Sequence, residues 1–536
     1  MSHIETERPS PAKFHILDLF AGPGGLDVAA HVLGHEVTGI EWDAGACATR
    51  AEAGMDTFQG DVRQYRAAFF PDAQVLTGGP PCQTFTVAGH GAGRRALDQV
   101  LRYIERLHQA VTGTEHQPDE TVAWTEIFRT WREIHEELRL KEVEARAVKA
   151  EKRAVEQSRA EKRKAMRIRL EELGNSADEA KELLKKLNAP QILEFPDAEV
   201  QDLLKEFGDL NGLLDKLKDR LEELGDERTG LVLQPLWWVI ERSRRPGSTA
   251  YEAVILEQVP AVMPVWKEYA RVLTTLGYRT ATQLMHTEAF GVPQTRRRAV
   301  LMARLDRPGL PDGPAPGLLP KVSETHLLYG RGGSPGRTSS ADLADTLPLG
   351  TPEDGTGRTR TSSEDLDRPK ESWVSMETAL TRARQCSNDV RARPPFTVVS
   401  NYGTGGVPEA RGRRDHDAPS ATITGKVSRN RVVHKGTDTN LGNGLDRFNS
   451  AEAGVLQTFP AAYPWSGNDV SQQIGNAVPP RLALHVLRQV LEPELDDTEA
   501  AARLDQGVRD LEAWKPRREV KPLGHLGLKG HPLTGR

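Results

Sequence analysis

An α/β chain is predicted, in which a doubly wound sheet domain is interrupted by a helical coiled-coil insertion and followed by a smaller domain rich in loops and strands. Three observations predict it. Short apolar runs alternate with helical stretches at the start of the chain and again from residue 251, the rhythm of a parallel doubly wound sheet. Between these halves lies a long segment of Glu, Lys, Arg and Ala that ends in a heptad seam. From residue 306 the chain becomes rich in Gly, Pro, Ser, Thr and Arg, with only short apolar runs such as PFTVVS and SATITG.

FHILDLF, EVTGIEW and AQVLTGG read as strands, separated by helices near Leu26 to Leu33 and through Ala46 to Ala53. The pattern resumes with YEAVILEQV at 251–259, a helix through Trp266 to Leu276, YRTATQLM, and RAVLMAR at 298–304. Within the insertion, Trp131 to Leu173 has no Pro and almost no Gly and reads as one long charged helix. Leu203, Phe207, Leu210, Leu214, Leu217, Leu221 and Leu224 then alternate spacings of four and three, the period of a coiled-coil seam. Pro190 and Pro196 break the two, so the simplest arrangement is a helical hairpin set into a surface loop of the sheet domain. The resulting division assigns 1–91 and 226–305 to the sheet domain, 92–225 to the insertion and 306–444 to the loop-rich domain. Residues 445–496 return to regular patterning and close the sheet domain, and 497–536 form a tail expected to be flexible.

At 536 residues the chain is long enough for a large core and at least one further module. A hydrophobic fraction of 38%, a charged fraction of 27% and a formal net charge of −5 describe a globular protein without a basic excess, so any nucleic-acid role must rest on local patches. The longest strongly apolar run, LVLQPLWWVI at 231–240, falls far short of the roughly 20 residues that span a bilayer. MSHIETERPSPAKF lacks the basic start, apolar core and cleavage site of a secretory signal, so a cytoplasmic location is expected. Cys47, Cys82 and Cys386 are widely spaced with no CxxC pair, which argues against a disulfide framework or a zinc site, and no metal is expected.

ILDLFAGPGGLD sets a Gly-rich turn directly after an apolar strand and before a helix, where Gly22, Gly24 and Gly25 let the backbone approach a ligand. The next strand ends in Glu41, about twenty positions past the glycines, where a carboxylate can accept hydrogen bonds from ribose hydroxyls. GDVRQY follows the third strand with Asp61, suited to an adenine amino group. Such features at three successive strand ends point to nucleoside binding. The spacing is not GxGxxG, and without a helix-capped diphosphate site S-adenosylmethionine fits better than a dinucleotide.

LTGGPPCQTFTVAGHG sets Cys82 behind Gly78, Gly79, Pro80 and Pro81 at the end of a strand, a nucleophile's setting, whereas Cys47 falls within a helix. GGPPCQTF resembles the Pro-Cys-Gln signature of the bacterial-type DNA (cytosine-5) methyltransferases, and LDLFAGPGGL resembles their first motif. Further motifs similar to that family's follow in order: DERTGLV with Asp226 and Arg228, LEQV with Glu257, VPQTRRRAVLMA with Gln294, Arg296 and Arg298, RFNSAEAGVLQTFP with Arg447 and Glu452, and QIGNAVPP with Asn476. The resemblance covers most of the chain apart from the insertion, the variable loop-rich domain and the tail.

The resemblance implies an S-adenosylmethionine-dependent methyltransferase fold and methyl transfer to carbon 5 of a cytosine flipped out of a specific duplex DNA sequence. Cys82 would be the nucleophile at carbon 6, and Glu257 the carboxyl beside ring nitrogen N3. Arg298, together with Arg296, would hold the base oxygen. The implied cofactor site consists of Phe20, Gly22, Gly24, Gly25, Glu41, Trp42, Asp61, Pro80, Asn476 and Val478. The family usually has Glu-Asn-Val where this chain has Glu257, Gln258 and Val259, a departure that bears on how the carboxyl is positioned. Residues 306–444 would form the target-recognition domain, locally basic at RARPP, ARGRRDH and KVSRNRVVHK, as phosphate contacts require. A role in restriction–modification or host defence is expected, with a cognate restriction endonuclease as a conceivable partner. The insertion replaces what is normally a short connection, and a spacer, an arm for self-association through the coiled coil and a DNA clamp all stay open. An RNA cytosine-5 methyltransferase acting on transfer RNA and a catalytically silent base-flipping module are the alternatives; the long Gly/Arg-rich region favours DNA, and the intact Cys82, Glu257 and Arg298 favour catalysis.

Overall fold

The computed structural model describes residues 13–81, 91–185, 197–224, 227–307, 310, 317–330, 369–400 and 412–516. The first half of the chain forms β1 (His15–Leu19), α1 (Gly25–Val32), β2 (Glu36–Glu41), α2 (Ala44–Glu52), β3 (Asp56–Gln59), β4 (Val75–Gly78), α3 (Gly91–Gly113), α4 (Glu120–Glu172), α5 (Ala177–Lys185), α6 (Ala198–Leu224), α7 (Gln234–Arg244) and β5 (Ala253–Gln258). There follow α8 (Met263–Thr275), β6 (Tyr278–His286), β7 (Arg297–Leu305), α9 (Met376–Arg384), β8 (Phe396–Val399), β9 (Arg413–Asp415), β10 (Arg431–His434), α10 (Ser450–Leu456), α11 (Val470–Asn476), α12 (Pro480–Leu491) and α13 (Asp497–Ala513). The chain divides into two compact units, one of Met1–Pro81, His108–Thr125 and Leu233–Arg536, the other of Cys82–Leu107 and Glu126–Val232.

The first unit is built on a seven-stranded sheet of order β3-β2-β1-β4-β5-β7-β6. β1 to β5 run parallel and are almost wholly buried at β1, β4 and β5, because helices cover both faces. The doubly wound sheet is mixed at its far side, where β7 runs antiparallel between β5 and β6. The reason is the connection. The stretch between His286 and Arg297 holds a single 3-10 turn, Thr287–Phe290, and no crossover helix, so β6 and β7 pair as a hairpin. Chain order reverses between β1 and β4, which places the sheet's topological switch point at their carboxyl ends, where open α/β sheets bind ligands.

One face of this sheet, through Ile16, Val75, Ile255 and Val300, packs with Leu26 of α1 and Leu484 of α12 in a common core. The closing segment therefore lies against the first helix of the chain. Below the same helix, Arg50 of α2 reaches Asp27 of α1 with two hydrogen bonds, Nη1 to Oδ2 at 2.9 Å and Nη2 to Oδ1 at 2.6 Å, and both side chains are fully buried. A second, three-stranded antiparallel sheet of order β10-β8-β9 belongs to the same unit. Its core joins Leu380, Phe396 and Val432 to Phe448, Leu456 and Ile474 from the segment that follows it.

The second unit is helical. The long charged helix expected over Trp131 to Leu173 extends over the whole of α4, and the heptad residues Leu203 to Leu224 lie on α6. The nine-residue α5 between them was not expected, and the break at Pro190 and Pro196 lies outside the described residues. α4 and α6 are antiparallel, since their ion pairs, Glu144 with Arg220, Lys162 with Glu206 and Arg169 with Asp197, rise in number along one helix and fall along the other. Phe207 packs with Met166, Leu170, Ala180, Leu184 and Val200, so the seam of α6 meets partners within its own chain.

The Asp27–Arg50 pair generates a stability prediction. Asp27→Ala leaves a buried guanidinium without its carboxylate and is expected to lower unfolding stability by about 3–5 kcal/mol, whereas replacing both residues by apolar side chains of similar volume is expected to cost much less. Urea unfolding of both variants measures the difference.

Candidate active site

The carboxyl ends of β1, β2 and β4 carry the residues predicted for the cofactor. After β1 the backbone takes positive φ at Phe20 (62°), Gly22 (55°) and Gly24 (98°). A Cβ on Gly22 would meet open space, whereas one on Gly24 would strike Met55 and one on Gly25 would lie 2.1 Å from the carbonyl oxygen of Val478. Gly22 thus keeps a turn that other residues rarely adopt, and Gly25 lets the chain's last motif lie directly on its first. Glu41 ends β2 with its carboxylate fixed by two backbone N–H donors, Gly22 to Oε2 and Asp43 to Oε1, each at 2.7 Å. Burial raises the Glu41 pKa, and these two N–H groups oppose the rise. Beside it, Trp42 is 69% exposed, a large apolar ring left uncovered next to a fixed carboxylate.

Asp61 caps the 3-10 turn Val62–Gln64, accepting from the Arg63 N–H at 2.9 Å and from the Arg63 guanidinium at 2.5 Å. Pro80 is buried and its carbonyl accepts from the Gln258 side chain. Asn476, exposed at the end of α11, accepts from Gln472. One buried acid was not singled out from the sequence. Asp18 of β1 accepts from the Thr77 hydroxyl of β4 at 2.7 Å, and burial, with Asp27 nearby, pushes its pKa up to about 7. Its signal was an acid in the middle of the apolar run ILDLF.

At the neighbouring strand ends lie the residues predicted for chemistry. Cys82, one residue past Pro81, lies outside the described residues. Glu257, next to last in β5, has its Oε2 3.7 Å from where a Cβ on Gly79 would stand, so its carboxyl adjoins the turn that leads to the cysteine. Arg298 Nε lies 2.5 Å from Glu257 Oε1, with both side chains largely buried. Arg296 has a different use. Its Nη atoms donate to the carbonyls of Ile423 (3.0 Å), Gly475 (3.0 Å) and Ala477 (3.4 Å), and burial, with Arg298 nearby, lowers its pKa well below the usual value. Sequence placed Arg296 and Arg298 together at the base; the structure gives Arg298 to Glu257 and Arg296 to the backbone that walls the site.

The chain matches the C-5 cytosine-specific DNA methylase family over residues 14–110 and 248–492, more than half its length. It belongs to that family. It is 38% identical over 84 residues to the type II methyltransferase M.HpaII of Haemophilus parainfluenzae, covering 15% of this chain and 24% of that protein. It is 33% identical over 91 residues to the type II methyltransferase M.HhaI of Haemophilus parahaemolyticus, covering 17% and 28%. These matches span about a quarter of the relatives' own length. Among solved structures, the S. pombe Dnmt2 methyltransferase is similar over 90% of this chain and 99% of that chain, at 12% identity and a TM-score of 0.40. The family implies S-adenosylmethionine as methyl donor. Among the described residues, no group of three or more His, Cys, Asp or Glu could hold a metal ion and no helix is long and apolar enough to cross a membrane.

The other motif residues form the scaffold around the candidate site. Gln294, wholly buried, donates to Gln457 Oε1 at 2.9 Å and accepts from the Ile423 N–H at 2.7 Å. Arg447 donates to the Ser428 carbonyl. Asp226 lies outside the described residues, and Arg228 falls in the 3-10 turn Glu227–Leu233. Glu452 is fully buried and accepts from Arg391 and Arg393 as well as from the Asn449 N–H. Burial alone would raise its pKa, but the two guanidinium groups and the N–H outweigh that effect and hold it down at about 2.

Because the folded value lies below the unfolded one, near 4.3, the Glu452 cluster is fully stabilising above that pH and loses its contribution as pH falls through about 2. Urea unfolding of wild type and Glu452→Gln is expected to show a constant stability gap from about pH 5 to 7 that shrinks between about pH 4 and 2.

Proposed function

We propose that this protein transfers the methyl group of S-adenosylmethionine to carbon 5 of a flipped-out cytosine in a specific duplex DNA sequence, through a covalent adduct between Cys82 and the base. The observation that carries the reading is the Glu257–Arg298 pair at the end of β5, beside the turn leading to Cys82 and at the same end of the sheet as its switch point. The residues present suit the donor. Glu41 offers a fixed carboxylate to ribose hydroxyls, the exposed Trp42 ring can cover a base, and Gly22 leaves its side open. Phe20, Gly24, Gly25, Asp61, Pro80, Asn476 and Val478 complete the set on the same strand ends and closing segment. When bound, S-adenosylmethionine supplies an electrophilic methyl on a sulfonium centre.

The chain's own groups do the rest. The Cys82 thiolate adds to carbon 6, forming the S–C6 bond, while N3 gains a proton from the Glu257 carboxyl and electron density moves to carbon 5. Arg298 holds the base oxygen and orients that carboxyl. Carbon 5 takes the methyl group; a base then removes the carbon 5 proton, the S–C6 bond breaks and the thiolate returns. Carbon 6 of a base within a stacked duplex is out of the thiolate's reach, so the cytosine must be flipped out. Residues 306–444 read the target sequence, and the type II names of the relatives support a restriction–modification setting with a partner endonuclease.

Cys82→Ser is expected to abolish methylation while leaving S-adenosylmethionine binding largely intact, and wild type is expected to be trapped covalently on duplex DNA carrying 5-fluorocytosine, where elimination is blocked. Substantial turnover by the variant, or methylation of transfer RNA in preference to duplex DNA, would overturn the reading. Glu257→Gln is expected to slow single-turnover methylation by about 10²- to 10⁴-fold with much less effect on DNA affinity.

A further inference from the structure

Residues 111–247, which the family match leaves out between its two parts, contain most of the helical unit. We propose that the outer face of α4 is a second DNA-binding surface that grips the phosphate backbone of a duplex. From Arg146 to Arg169 the chain carries ten Lys and Arg against three Glu, a net charge of +7, in a protein whose overall charge is −5. The facing helix α6 carries eight acids and four bases, a net of −4. The excess positive charge is therefore a property of this stretch of α4, since the whole helix carries fourteen Lys and Arg against twelve Glu.

The fold sorts that charge by face. Ala145, Val155, Met166 and Leu170 are buried, and Lys162 and Arg169 on the inner flank pair with Glu206 and Asp197 of the facing segment. Arg146, Arg153, Arg163, Lys164 and Arg167 are exposed. Arg146, Arg153 and Arg167 recur in multiples of seven residues, which keeps them on one stripe of a helix packed with a 3.5-residue period. Arg146 and Arg167 are bridged to Glu142 and Glu171 of their own helix, but among the described residues no ion pair engages Arg153, Arg163 or Lys164. Packing between α4 and α6 explains the inner charges and leaves the outer ones unexplained.

The occupant is argued from charge and length. Arg146 to Arg167 spans roughly 32 Å at 1.5 Å per residue, close to the 34–36 Å of one helical turn of duplex DNA. A straight cationic rod of that length matches the backbone of a polyanion, which is read without sequence preference. Duplex DNA is the polyanion this reading selects, and the inference rests on the methyltransferase function proposed above.

The test uses the full-length protein. A triple variant, Arg153→Gln, Arg163→Gln and Lys164→Gln, is compared with wild type and with a control on the other helix, Lys205→Gln, Lys216→Gln and Lys218→Gln, which removes the same charge from exposed positions. Binding to a duplex of random sequence is measured by fluorescence anisotropy over a range of salt. The α4 variant is expected to bind about tenfold or more weakly at 0.1 M salt, and the slope of log K against log salt is expected to fall by roughly 0.9 for each phosphate the variant no longer neutralises. Its target sequence and single-turnover rate at saturating DNA are expected to match wild type. The control is expected to bind as wild type does, and Arg153→Lys with Arg163→Lys is expected to retain binding, which separates lost charge from damaged folding. Unchanged affinity and slope in the α4 variant would overturn the proposal, as would equal weakening by the control, or a loss seen on duplex RNA alone. Absence of any DNA binding or methylation by wild type would instead overturn the proposed function.

Discussion

Arg296 carries a guanidinium into the protein interior, and much of the first unit's geometry follows from how that group is met. A buried cation without partners costs several kcal/mol, so its N–H donors must find acceptors. The Nη acceptors are three carbonyls from two other parts of the chain: Ile423, in the connection between β9 and β10 of the second sheet, and Gly475 and Ala477 at the end of α11. Gln294, two residues earlier, repeats the arrangement with Gln457 and the Ile423 N–H, and Gln457 in turn donates to the Ile474 carbonyl. None of these segments can shift alone without breaking a buried hydrogen bond. The result is a rigid joint between the end of the large sheet, the end of the small one and the segment that lies on Gly25.

The reversed direction of β7 complements that joint. An antiparallel strand starts at the end of the sheet where its parallel neighbour finishes, and the register sets Ala299 opposite Gln258. Arg298 therefore emerges beside the carboxyl end of β5, where Glu257 lies, and Arg296, just before the strand, emerges where the closing segment passes. A parallel β7 would begin at the opposite edge of the sheet, far from the glycine turn and from Pro80. The hairpin from β6 thus has a chemical consequence, since it delivers two arginines to the sheet end that carries the switch point.

How much of this was legible in the sequence depended on whether the signal was local. Glu41 could be found because a strand end and a spacing of about twenty residues from the glycines are both local patterns. The heptad seam of α6 was visible for the same reason, and so was its pairing with α4 as a hairpin, whereas the short α5, whose Ala180 and Leu184 also pack against the seam, left no such signal. The direction of β7 was hidden, since alternating burial reads the same both ways along a strand. Arg296 and Arg298 look equivalent in TRRRA, and only the contacts of the folded chain give one to backbone carbonyls and the other to a carboxylate. The close approach of Gly25 to Val478 joins the two ends of the family match and left no local trace beyond the glycine itself.

Gln258 shows how a departure from the family pattern can keep a physical role. Its side-chain amide nitrogen donates to the Pro80 carbonyl, two residues before Cys82, and its side-chain oxygen accepts from the N–H of Val259 at 2.5 Å. One end of the amide holds the backbone at Pro80, and the other holds the backbone just past Glu257. The side chain is buried, so an amide here must satisfy both its donor and its acceptor. The longer glutamine can fold back onto its own neighbour's N–H while its nitrogen reaches across to β4's end. An amide here therefore bridges the carboxyl ends of β4 and β5. In the proposed function, that bridge helps to set the Glu257 carboxyl relative to the turn that leads to Cys82.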